Sequence, residues 1–92
     1  MAKIIKTNGD IVEVSPKNGS DFSLSELSEI VGGYIEIIHT LDRKNIIVLN
    51  EEGKILQLPI NKKATEIAYG NNNMINDFIV GDVLLADLEQ VK

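Results

Sequence analysis

Lys62 and Lys63 stand directly after Asn61, at the start of a predicted helix, and Pro59 just upstream ends a predicted strand. Lysines in a first helical turn oppose the helix dipole, whose usual benefit to acidic residues there is roughly 0.3–1 kcal/mol. A local rule is broken at this point. Unpaired helix amides joined by two ammonium groups form a cradle for phosphate, although the same pair also reads as a solvated turn whose side chains point away. A second constellation begins at Gly33, where Tyr34 and Glu36 share one side of a predicted strand, with Tyr69 closing the second helix. A ring and a carboxylate beside glycine backbone can stack on a base and accept a hydrogen bond from its amine. The plainer reading is a half-buried tyrosine next to a solvent-facing glutamate. Asn61, Lys62, Lys63, Tyr34, Glu36, Tyr69 and Gly33 are the candidate ligand-binding residues.

Other reactive side chains are poorly arranged. Glu51 and Glu52 are consecutive in a turn and so point apart, and Asp82 and Asp87 match no metal loop. Five serines, Ser15, Ser20, Ser23, Ser25 and Ser28, could partner only His39, at no suggestive spacing. The chain contains no cysteine, so disulfides and thiolate metal sites are excluded. It carries neither a phosphate loop nor a dinucleotide fingerprint. No catalytic residue, metal or cofactor is expected, and the protein reads as a non-enzyme.

The elements that must position these residues are legible in part. Residues 2–7 and 11–14 are apolar and β-branched around Asn8-Gly9-Asp10, which predicts a hairpin with a type I′ turn. Ser23-Leu24-Ser25-Glu26 is a capping box, with Phe22 and Leu27 placed as a hydrophobic staple. Leu24, Leu27, Ile30 and Val31 then predict one apolar helix face, stopped at Gly32 and Gly33. Residues 34–41 and 46–49 read as strands, and residues 55–58 as a strand returning antiparallel after a turn at residues 51–54. Residues 32–61 should therefore form the middle of the sheet. Ala64, Ile67 and Ala68 predict a short second helix from Asn61 to Gly70, residues 71–73 a flexible loop, and residues 78–86 a last strand bent at Gly81-Asp82. The expected class is α+β: a mainly antiparallel sheet of five or six strands, with two short helices packed chiefly on one face.

At 92 residues the chain spans a single domain with a small core. Hydrophobic residues at 43% and charged residues at 25% are those of a globular domain. With 14 acidic and 9 basic residues the net charge is -5, which repels phosphate backbones and argues against duplex nucleic acid as a partner. The opening ten residues hold one short apolar pair between lysines, so neither a leader nor a membrane span is predicted, and a cytoplasmic setting is expected. Residues 46–49 and 78–86 are apolar on much of both sides for so small a core, which predicts a surface buried against a second copy, a homodimer.

Several motifs occur together in a defined order: Val31-Gly32-Gly33-Tyr34-Ile35-Glu36, Asn50-Glu51-Glu52-Gly53-Lys54, Leu58-Pro59-Ile60-Asn61 with Ala64 and Thr65, and Ile79-Val80-Gly81-Asp82-Val83-Leu84. This joint pattern resembles a family of small uncharacterised proteins of bacteriophages and mobile elements, known as a domain of unknown function. The resemblance implies a setting inside a bacterial host and no reaction. Within that setting two functions are expected. One is sequestration of a small anionic, nucleotide-like signal of bacterial immunity. The other is docking on a host protein to inhibit it.

Overall fold

The computed structural model describes residues 2–70 and 77–91. Its elements run β1 (Ala2–Ile5), β2 (Ile11–Val14), α1 (Leu24–Val31), β3 (Ile35–His39), β4 (Ile46–Asn50), α2 (Lys62–Tyr69) and β5 (Val83–Ala86), with a short 3-10 turn over Leu88–Gln90. The five strands form one sheet in the order β2-β1-β5-β4-β3, and every pairing in it is antiparallel. The class is α+β, as the sequence predicts.

The centre of the sheet is β5, the last strand, which joins the β1–β2 hairpin to the β3–β4 hairpin through Ile4↔Leu84 and Val48↔Leu84. Residues 32–61 therefore do not supply the middle: β4 is interior, but β3 is an edge. Residues 55–58 form no strand, and the physical reason is that both sides of β4 are already taken by β3 and β5. The chain instead curls through successive turns, with Gly53 N–H donating to Asn50 O at 3.1 Å, Leu56 N–H to Glu52 O at 2.9 Å and Leu58 N–H to Gly53 O at 3.0 Å. This curl lies tightly on the segment before β5. A Cβ at Gly53 would meet Val80 Cγ2 at 2.7 Å, and one at Gly81 would meet Leu58 Cδ1 at 2.8 Å.

The predicted last strand is shortened to Val83–Ala86, preceded by an isolated antiparallel bridge between Ile60 and Val80. In the first hairpin Gly9, at φ 96°, takes the positive angle and Asn8 does not. Gly9 N–H donates to Lys6 O, giving a turn closed by a glycine bulge in place of type I′. The loop expected over residues 71–73 lies outside the described residues.

The helices divide between the two faces of the sheet where one face was expected. α1 forms as predicted: Ser23 Oγ accepts from Glu26 N–H at 3.1 Å, and Glu26 Oε1 accepts from Ser23 N–H at 2.9 Å. Leu27 and Val31 are buried with Phe22, Ile46, Val48 and Leu84 on one face, whereas Leu24 stays 67% exposed. Ala64 and Ala68 of α2 pack with Ile5, Ile47, Ile79 and Val83 on the opposite face. Alternate residues of β4 and β5 thus point to opposite cores, since strand side chains have a period of two. Burial on both faces also removes the premise of the dimer argument, because β4 and β5 bury their apolar sides within one chain.

Candidate functional site

The seven candidate residues are distributed over separate places. Asn61 is fully buried and N-caps α2, its Oδ1 accepting from Ala64 N–H at 3.1 Å. Its Nδ2 donates to Ile5 O at 2.8 Å and to Gly81 O at 2.9 Å. With both amide hydrogens committed and no surface exposed, this side chain offers nothing to a ligand. Asn61 is a joint between α2, β1 and the approach to β5, and the expectation that it contacts a ligand is corrected on that ground.

Lys62 and Lys63 are exposed in the first turn of α2. They line an open hollow of about 420 Å³ with Lys6, Thr7, Asn8, Gly9 and Glu66. Three ammonium groups face one carboxylate here. Lys6 comes from the end of β1, a neighbour no sequence spacing reveals. The Thr65 and Ala64 amides are satisfied by Asn61, while the amides of Lys62 and Lys63 precede any intrahelical acceptor.

Tyr34 and Tyr69 do not overlook this hollow. Tyr69 ends α2, about 10 Å along the helix axis from Lys62 at roughly 1.5 Å per residue. Tyr34 is 73% exposed beside β3, its carbonyl accepting from Glu51 N–H at 2.9 Å. Gly33 lies against the side chain of Asn50, with 3.1 Å between its Cβ position and Nδ2.

Glu36 and Tyr69, by contrast, share one cavity. They line a cavity of about 170 Å³ beneath the curled segment after β4, together with Lys54, Asp77 and Phe78 over an apolar floor of Ile38, Leu49 and Ile79. Lys54 and Asp77 form an ion pair, and the Lys54 ammonium sits 4.9 Å from the centroid of the Phe78 ring. Tyr69 Oη donates to Asp77 Oδ2 at 3.4 Å, and Phe78 N–H donates to Oδ1 at 2.8 Å. The hydrogen bond from Lys54, followed by that from the Phe78 amide, holds the Asp77 carboxyl below its ordinary pKa. The same bond holds the Lys54 ammonium above its own. Burial, reinforced by the Asp77 charge, pushes the Tyr69 phenol up.

Lys54, Asp77 and Phe78 were not singled out by sequence. Lys54 looks like an ordinary turn residue, and its pairing with Asp77 spans 23 positions. Of the carboxylates outside that cavity, Asp82 accepts from Thr7 N–H at 3.0 Å, and among the described residues no group of three metal ligands converges. No helix among them is long and apolar enough to cross a membrane.

A five-stranded antiparallel sheet with one helix on each face, an open lysine-lined hollow and a small charged cavity define an α+β domain with two candidate binding surfaces. The chain belongs to the DUF3846 family, a domain of unknown function, whose model matches residues 3–91. No curated protein and no solved structure matches it.

Proposed function

We propose that the chain is a non-enzymatic binding protein of the bacteriophage or mobile-element kind that sequesters a small anionic, nucleotide-like ligand in the cytoplasm of a bacterial host. The observation that carries this reading is the hollow at the start of α2, where Lys6 joins Lys62 and Lys63. In a chain of net charge -5, three ammonium groups around one concavity are a local reversal of sign, and the adjoining helix amides and dipole act in the same direction. Because neither tyrosine overlooks the hollow, recognition there is of the phosphate, with the base left outside. The chain's single histidine and lack of cysteine supply no nucleophile paired with a base, in keeping with capture over turnover.

A thermal-shift panel of mono-, di- and cyclic nucleotides beside inorganic phosphate tests this. A true ligand at a hundredfold excess over its Kd adds about 2.7 kcal/mol of stability. Lys62→Glu with Lys63→Glu removes that shift and Lys6→Glu weakens it. An unchanged shift in the double variant would reject the hollow.

A second reading, docking on and inhibiting a host protein, draws support from β2. This edge strand leaves Ile11 and Val12 47% and 42% exposed, on alternate sides of a strand with one open ladder. It predicts co-purification with a host factor and no response to nucleotides.

A further inference from the structure

The charged cavity under the curl has the opposite electrostatic sign from the lysine hollow. Among the described lining residues, Glu36, Glu51 and Asp77 set three carboxylates against the one ammonium of Lys54. Among the described residues Glu36 and Glu51 take part in no ion pair, so the cavity keeps uncompensated negative charge. Its walls add Tyr69 and Phe78, and an aromatic face beside a carboxylate is the environment in which organic ammonium ions bind. The chain itself demonstrates the fit: the Lys54 ammonium lies over the Phe78 ring at 4.9 Å while paired with Asp77. That side chain is 56% exposed and hangs from a turn segment outside the sheet, so it can withdraw to solvent.

We propose that this cavity binds the alkylammonium group of a small amine, of the polyamine class, and that Lys54 is its internal stand-in, displaced when the ligand enters. The volume of about 170 Å³ is below the roughly 300–1,000 Å³ of pockets for drug-sized ligands, which selects a slender chain with one charged head. A second ammonium on the same ligand reaches Glu36 or Glu51 at the rim. Anions are rejected here by the same carboxylates, so the site is independent of the lysine hollow and of its ligand.

The test is titration of the full chain with putrescine, with sodium chloride at matched ionic strength as control, followed by calorimetry and by the ring signals of its two tyrosines and two phenylalanines. Putrescine should shift the Tyr69 and Phe78 signals and leave Phe22 unmoved. Lys54→Met should tighten binding about tenfold, since the ligand no longer competes with a tethered ammonium at high effective concentration. Glu36→Gln should weaken it about two- to fivefold, the loss of one solvent-reaching charge contact. Both side chains are exposed, so both variants keep the fold. Loss of binding in Lys54→Met would overturn the proposal by making Lys54 a ligand-binding group. Absence of putrescine binding to both wild type and Lys54→Met, or binding that leaves Tyr69 and Phe78 unshifted, would overturn it equally.

Discussion

Asn61 reaches across 56 positions of sequence to donate its side-chain amide to the carbonyl of Ile5 at 2.8 Å. One buried side chain thereby caps α2, closes the end of β1 and, through Gly81 O, anchors the approach to the central strand. The candidate site hangs from this joint, because Lys62 and Lys63 follow it directly and Lys6 follows Ile5.

Asn61→Ala should therefore cost more than a lost cap. The cap alone is worth about 1 kcal/mol, and two buried carbonyls lose their donor at about 1–3 kcal/mol for each group left unsatisfied. A loss of about 3 kcal/mol or more in urea unfolding is expected. Asn61→Asp, an equally good cap by type, should be no better, since it turns an oxygen toward both carbonyls. A loss below about 1 kcal/mol for either variant would contradict the joint.

The lysine pair separates binding from folding. Replacing Lys62 and Lys63 by Glu places favourable charge at the helix start and should leave stability unchanged or raise it by roughly 0.3–1 kcal/mol. The same variant should lose all response to nucleotides. Chemical denaturation and thermal shift on one sample check both outcomes.

The contact between the curl and the strand approach should be intolerant of added volume. Gly81 combines φ +79° with a Cβ position 2.8 Å from Leu58 Cδ1, so Gly81→Ala should destabilise by roughly 1–3 kcal/mol through strain and overpacking. Gly19→Ala is the control, since it shares a positive φ but has nothing within 4 Å. Equal losses in the two variants would show that the close approach contributes nothing.

Stability should fall in acid. Hydrogen bonds from the Ser23 and Lys17 amides hold the Glu26 carboxyl below its ordinary range, the Thr40 hydroxyl and Lys44 amide do so for Asp42, and Lys54 leads for Asp77. A carboxyl with a lower pKa in the folded chain adds stability that is complete above the unfolded value of about 4 and disappears as pH falls through the folded one. Urea midpoints measured down to strongly acidic pH should trace this limb, and Glu26→Gln should flatten it.

The alkaline side tests the charged cavity. The Tyr69 phenol is raised first by burial and then by Asp77, so its stabilising contribution holds below the unfolded value of about 10 and fades as pH rises through the folded one. Ultraviolet titration should find one phenol ionising above the ordinary range, and Asp77→Asn should bring it part of the way back. A titration unaltered by Asp77→Asn would separate Tyr69 from the ion pair.

What the sequence by itself determined is local. The capping box at Ser23 and Glu26, the staple of Phe22 on Leu27, the stop at Gly32 and the cap at Asn61 are written within a few residues, because helix ends are satisfied by neighbours. The antiparallel α+β class followed from alternating apolar runs between turn residues. Tertiary structure alone decided which strand is central, since β5 finds β1 and β4 by long-range pairing, and with both sides of β4 occupied residues 55–58 could not return beside it. It also decided the sites. The lysine pair and the constellation that begins at Gly33 stay apart, with Glu36 and Tyr69 lining a separate cavity, Lys6 arrives at Lys62 and Lys63 from near the start of the chain, and Lys54 meets Asp77 because the curl folds back over β4. Such contacts carry no spacing signal, for the side chains that make them are brought together by the packing of two cores on opposite faces of one sheet.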